Sequence, residues 1–256
     1  MMMKPFGLAC LLSLSGAAMA SAQTAAVESA PQGGAAPAAE TATPPVLLEL
    51  YTSQGCVSCP AADALLAELV KDPALIPLAL HVDYWDYIGW ADSFASPQFT
   101  ERQKAYARAA GSRMIYTPQM VVAGGARVEG NDPQAVAEAI EQAKALPQSA
   151  GLQLTREGDG LRIQGKLAQP VAPLRVQLVR YKPEETVAIA HGENAGRTVT
   201  YHNIVTDWQV LADWPGEPPL DILVPQVGEG PLVVLLQRVA EGSSGPAEIV
   251  AAARID

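Results

Sequence analysis

Cysteine is scarce in this chain: three in 256 residues, at positions 10, 56 and 59. A chain of that length buries enough apolar surface for two ordinary domains, so covalent staples are excluded as the basis of the fold. Basic residues are also few, 17 Lys and Arg against 27 Asp and Glu, for a formal net charge of -10. With no basic run anywhere, nucleic acid and anionic membrane surfaces are poor partners. The scattered glycines never form a Gly-x-Gly-x-x-Gly between a strand and a helix, so no nucleotide or flavin cofactor is expected. Aromatic residues make up only 5% of the chain. Even so, Tyr84, Trp85, Tyr87 and Trp90 crowd together beside Asp83, Asp86 and Asp92.

Residues 1–22 read as a secretory signal, with Lys4 ahead of an apolar run and small residues at Ala18, Ala20 and Ala22. Cleavage after Ala20 or Ala22 removes Cys10. Lipidation of Cys10 is the competing reading, but too little apolar sequence precedes it. Residues 23–45 are Ala, Pro, Gly, Gln and Thr with almost nothing to bury, which describes a disordered linker. The expected mature protein is periplasmic or secreted, with no stable membrane insertion after cleavage. It retains Cys56 and Cys59 in a compartment where a disulfide persists.

Ordered sequence begins at Val46. Residues 46–52 form a short apolar run, a buried strand; 60–70 carry Ala64, Leu65 and Leu69 among good helix formers. Pro60 is tolerated in the first turn of that helix, so Cys56 and Cys59 fall at or just before its N-terminus. A second strand covers 75–82, and Ser96-Pro97 opens a helix closed by Gly111. Residues 119–123 and 127–129 flank Gly124-Gly125, a hairpin signal, and Asn131-Asp132-Pro133 starts a helix stopped by Pro147. The first domain thus spans 46–147, in the order strand, helix, strand, helix, hairpin, helix.

From 148 to 256 the pattern changes to short alternating strands split by Gly, Pro and Asp clusters, at 152–155, 161–167, 175–181, 186–190, 198–205, 220–224, 232–239 and 249–255. That spacing describes an all-β antiparallel sandwich without helices. Its polar constellations are His191-Gly192-Glu193-Asn194 and Tyr201-His202-Asn203. A hairpin loop with structural hydrogen bonds is the favoured reading over a metal site, since no cysteine joins the histidines.

The first domain resembles the thioredoxin fold: a Cys-x-x-Cys pair starts its first helix and an X-Pro stands directly before the hairpin strand. More narrowly, "HVDYWDYIGWADSF", "YTPQMVV" and "GENAGRTVTYHN" resemble a bacterial family of secreted thioredoxin-like proteins known only as a domain of unknown function. The resemblance implies that Cys56 is the nucleophile, Cys59 the resolving thiol and Pro118 a cis-proline beside them. It implies that Thr117 offers backbone groups to a substrate chain, although a β-branched residue held extended by the following proline explains it equally. It also offers Glu49 as a buried proton relay. A strand-edge glutamate is the other reading, because a one-residue shift in a strand reverses the face.

Disulfide exchange needs a thiolate, and a free cysteine near pKa 8.5 is mostly protonated at neutral pH. No Lys, Arg or His lies between Gln54 and Ala64, so backbone amides at the helix start are expected to favour the Cys56 anion. The leading expectation is a thiol-disulfide exchange protein acting on a protein or small-thiol substrate, with a redox partner. Two alternatives stand beside it: a copper-binding thioredoxin-like metallochaperone, from whose pattern this chain departs in having two rather than three residues between the cysteines and His81 within a strand, with Met114 and Met120 the soft ligands available after cleavage, and a binding protein whose disulfide is inert. The aromatic stretch is read either as a peptide-binding rim or as a satellite core under a long loop.

Overall fold

The computed structural model describes residues 44–147, 149–168, 173–242 and 245–255. The expected signal, Cys10 and the linker as far as residue 43 lie outside them. The fully buried strand β1, Val46–Thr52, is followed by helix α1, Pro60–Leu69, and by the equally buried β2, Leu75–His81. Helix α2 spans Pro97–Ala109, the hairpin β3 and β4 spans Gln119–Val122 and Ala126–Glu129, and α3 spans Pro133–Lys144. The expected order is therefore the observed one.

Local signals account for the boundaries. Pro60 occupies the first turn of α1 with Cys59 as N-cap, a position where a missing amide hydrogen costs nothing. The Ser96 hydroxyl accepts from Gln98 N, and the Asp132 carboxylate accepts from the amides of Gln134 and Ala135. At the β3–β4 turn Gly124 has φ +69°, and a Cβ there would lie 2.2 Å from the Ala247 carbonyl oxygen. Only glycine permits that approach.

Strand alternation gives β1 two different faces. Leu47 and Tyr51 join the core beneath α2, whereas Leu48 and Leu50 join the core shared with α1 and α3. This division decides which β1 side chains can reach the cysteines.

The remaining strands are β5, Ala150–Glu157; β6, Gly160–Leu167; β7, Leu174–Ala188; β8, Thr198–Trp214; β9, Leu220–Val224; β10, Leu232–Val239; and β11, Pro246–Ile255. Several are longer than expected, β7 and β8 most of all. Lys182-Pro-Glu-Glu185 reads as punctuation, yet it stays in β7 because β8 runs alongside, with Lys182 opposite Ile204 and Glu184 opposite His202.

A mixed eight-stranded sheet runs β11-β10-β7-β8-β2-β1-β3-β4, and a smaller antiparallel sheet runs β5-β6-β9. The β8 strand joins the thioredoxin-like half through a parallel bridge at Ala79 and Ile204. The Asn203 amide reinforces that junction, donating to the Pro77 carbonyl at 2.8 Å. One apolar core lies between the small sheet and β7, β10 and β11, including Ile163, Leu174, Val176, Leu220, Val234 and Leu236. The fold is thus an α/β thioredoxin-like region followed by antiparallel strands packed as a sandwich, one layer of which continues the first sheet. Among the described residues, no helix is long and apolar enough to cross a membrane.

Candidate functional site: a disulfide held under two loops

Cys56 and Cys59 form a disulfide, with Cα atoms 5.4 Å apart. The chain reaches them through two stacked turns, Cys56 N donating to Ser53 O at 3.1 Å and Cys59 N to Cys56 O at 3.2 Å. The Thr117-Pro118 peptide bond is cis. Ser58 Oγ bridges the two segments, 3.5 Å from both Cys56 Sγ and the Thr117 carbonyl. A Cβ on Gly130 would lie 3.3 Å from Pro118 Cβ and 3.4 Å from Ala62 Cβ. Pro118 and the first turn of α1 are therefore near neighbours. Cys56, Cys59, Thr117 and Pro118 are thus neighbours in space.

An attacking thiol is expected to be exposed, yet Cys56 is buried. Cys56 retains 1% of its surface and Cys59 none, while the intervening Val57 is 57% exposed. The reason is two loops that sequence proximity does not reveal. In the β2–α2 connection, Trp85 and Ile88 pack so closely on Gly55 that a Cβ there would meet them at 3.3 and 3.1 Å. From the β7–β8 loop, Asn194 Nδ2 donates to the carbonyls of Gln54 and Cys56, both at 2.9 Å.

Gln54, fully buried, joins the turn to these loops. Its amide donates to Asp92 Oδ2 at 2.8 Å, its Nε2 to Ser93 Oγ at 3.1 Å, and its Oε1 accepts from Trp90 Nε1 at 2.8 Å. A glutamine in a three-residue turn carries no sequence signal of such a role. Trp85 Nε1 donates to Thr117 Oγ1 at 2.7 Å, fixing the residue before the cis-proline. Burial divides the aromatic stretch: Tyr84 and Trp85 pack on the core beneath α2, as a satellite core would, while Tyr87 is 81% exposed and stacks on Trp85 at 6.4 Å.

Glu49 stands elsewhere. It lies on the α2 face of β1, where Arg102 donates to it from Nε at 2.7 Å and Nη2 at 2.9 Å, Tyr106 at 2.6 Å and Tyr51 at 2.9 Å. Four donors, all on the face away from α1, engage its carboxylate. The offset places it one strand position away from the face the cysteines share with Thr52.

A different acid occupies the cysteine side. Asp63 sits one helical turn after Cys59, its amide donating to Cys59 O at 3.0 Å, so the two buried side chains share a helix face. Thr52 Oγ1 donates to Asp63 Oδ1 at 2.8 Å. Burial pushes the Asp63 carboxyl up to about 7, against the opposing influence of His81 and the Thr52 hydroxyl. His81, opposite Thr52 in β2, shares Nδ1 with Asp92 Oδ2 at 2.8 Å. Burial alone would raise the Asp92 carboxyl; His81 and the amides of Gln54 and Phe94 outweigh it and hold the group below its ordinary value. Asp63 is legible in the sequence only as a lone acid on an apolar helix face.

Among the described residues no group of three or more His, Cys, Asp or Glu is arranged to hold a metal ion. The two histidines are placed apart: His202, in β8 and not in the expected loop, lies 3.6 Å from Glu184, and the His191 ring in the β7–β8 loop lies 6.4 Å from that of Trp90.

A Cys-x-x-Cys pair at the head of the first helix, a cis X-Pro across from it and this strand order define a thioredoxin-like protein. Within that class the chain belongs to the family described as protein of unknown function (DUF1223), whose model matches residues 47–237. It is similar to a protein of Agrobacterium tumefaciens solved by X-ray crystallography: 32% identity, a TM-score of 0.72, and coverage of 82% of this chain and 93% of that one. HBP35 of Porphyromonas gingivalis shares the fold at 16% identity and a TM-score of 0.61, over 83% of this chain and 75% of that one. A search of curated proteins gave no match.

Proposed function

We propose that this protein performs thiol-disulfide exchange through Cys56 and Cys59, on a protein or small-thiol partner. The observation that carries the reading is the disulfide at the head of α1, with Ser58 reaching the carbonyl of Thr117 beside the cis-proline. In the reduced protein the Cys56 thiolate attacks a substrate disulfide, forming a mixed disulfide and releasing one substrate thiolate. Cys59 then attacks Cys56 Sγ, closing the internal disulfide and releasing the second substrate thiolate. The Cys59 proton passes to Asp63, whose carboxyl titrates near neutrality. Oxidation of a partner dithiol is the same sequence reversed.

Cys59→Ala is expected to accumulate mixed disulfides through Cys56, detected as adducts released by dithiothreitol, whereas Cys56→Ala accumulates none. Burial of both sulfurs favours one other reading, a permanent structural disulfide. A reduction potential below about -300 mV supports that reading and overturns exchange. The secretory address belongs to the same proposal: fractionation is expected to place the shortened chain in the periplasm or the medium.

A further inference from the structure

The β7–β8 loop belongs to the half of the chain that carries no cysteine, and its reach across the Cys-x-x-Cys turn calls for a reason. The loop is internally fixed. Ile189 N donates to Arg197 O at 2.9 Å and Gly196 N to Ile189 O at 2.8 Å. Gly192 and Gly196 take φ of +78° and +83°, and a Cβ on Gly192 would come within 3.3 Å of Trp90 Cβ. Its one inward polar side chain is Asn194, 2% exposed. Both atoms it contacts on the turn are carbonyl oxygens, which only accept, so the amide nitrogen must face them. Its Oδ1 is buried without a hydrogen-bond partner, as expected if the donor end determines how the side chain sits.

The Cys56 carbonyl accepts from Asn194 Nδ2 and from Cys59 N. Both of its lone pairs are engaged. A backbone carbonyl beside a sulfur presents negative potential and disfavours a thiolate; donors directed at that oxygen offset it. The turn has no cationic side chain of its own between Gln54 and Ala64, so the fixed amide dipole supplies what a lysine or histidine would supply elsewhere.

We propose that Asn194 is a positioning residue for the attacking thiolate: by donating to the carbonyls of Gln54 and Cys56 it fixes the turn and favours ionised Cys56, making the C-terminal hairpin a working part of the redox site. The proposal rests on the reading of Cys56 as the attacking thiol. The titratable and charged groups on elements packed around the turn include Asp63 on α1, His81 on β2, Asp83, Asp86 and Asp92 in the β2–α2 connection, Tyr201 on β8, and His191, Glu193 and Arg197 in the loop. All are retained in the variants that test it.

The measurement is the rate of iodoacetamide alkylation at Cys56, located by mass spectrometry, at pH 7 after chemical reduction. Asn194→Ala is expected to slow it about two- to threefold, the change in thiolate fraction that half a pKa unit produces at a pH at or below the thiol's pKa. Asn194→Asp keeps the shape but presents oxygens to the two carbonyls, and is expected to slow it further. Ile189→Val, which trims a buried side chain at the loop base and leaves the Asn194 hydrogen bonds to the turn in place, is expected to lower stability and leave the rate unchanged. An unchanged rate in Asn194→Ala, whatever its melting temperature, overturns the proposal, as does a rate for Ile189→Val that falls equally. If Asn194→Asp does not fold, Asn194→Ala against Ile189→Val decides alone. Because alkylation follows chemical reduction, a pair that glutathione cannot reduce sinks the exchange reading and leaves the alkylation rates, and with them the role of Asn194, to stand or fall separately.

Discussion

Arg102 holds Glu49 through two nitrogens, Nε at 2.7 Å and Nη2 at 2.9 Å, on the side of the central sheet away from α1. The guanidinium also lies 3.8 Å over the ring of Trp208 and donates to Gln237 Oε1 at 3.1 Å. Glu49 therefore joins β1, α2, β8 and β10 at a buried polar junction. Glu49→Ala leaves a largely buried guanidinium unpaired and is expected to cost about 3–5 kcal/mol. Urea denaturation should show that loss, while alkylation of Cys56 in folded, reduced protein stays at the wild-type rate.

Asp63 makes stability depend on pH in a defined direction. Its folded value, about 7, lies above the ordinary 3.8, so the native state holds a proton that the unfolded state has lost. This contribution is complete below about pH 3.8 and disappears as pH rises through 7; its full size is on the order of 4 kcal/mol. Asp92, whose carboxyl is held low, acts oppositely and loses its contribution as pH falls below its unfolded value. Asp63→Asn is expected to flatten the decline between pH 4 and pH 7, measured as denaturant midpoints across that range. The same variant should slow closure of the internal disulfide, because the proposed acceptor of the Cys59 proton is removed.

Trp90 and Tyr87 should separate cleanly. Trp90→Phe removes the donor to Gln54 Oε1 and leaves a buried acceptor unpaired, at about 1–3 kcal/mol. Tyr87→Ala touches a side chain that is 81% exposed and should shift stability by no more than about 0.5 kcal/mol. If the rim serves substrate, Tyr87→Ala lowers the exchange rate with a protein disulfide at constant melting temperature.

Gly124→Ala tests how the hairpin turn docks on the far end of the sheet. The new Cβ would meet the Ala247 carbonyl oxygen at 2.2 Å, in a backbone conformation of φ +69°. Neither that oxygen nor Ile249 N, 3.0 Å away, can yield without moving backbone, so a loss of several kcal/mol is expected, on the order of the larger single-residue effects. The hydrogen bond from Ile249 N to Ala123 O at 2.8 Å should open, visible as faster amide exchange at Ile249.

The first half of the fold is legible in the sequence because its signals are local. Prolines at helix starts, capping residues Ser96 and Asp132, and the Gly124-Gly125 turn all act within a few residues of where they stand. In the second half, Lys182-Pro-Glu-Glu185 carries a turn signal, yet a partner strand alongside satisfies the backbone and overrides it. Cys56, Cys59, Thr117 and Pro118 are legible through the spacing of one motif and one X-Pro. Asp63 is not, since an acid on a helix states nothing about its burial until the strand threonine opposite it is known.

Chain order was enough for the elements, the cysteine spacing and the chemistry available to it, because each depends on neighbours in the chain. Folding in three dimensions settled that Asp63, and not Glu49, stands on the α1 side of β1, how deeply both sulfurs are covered and that Asn194 closes on the Cys56 carbonyl from 138 residues away. Such contacts depend on strand register and on loops meeting across the fold, and no local pattern encodes where two distant loops will meet.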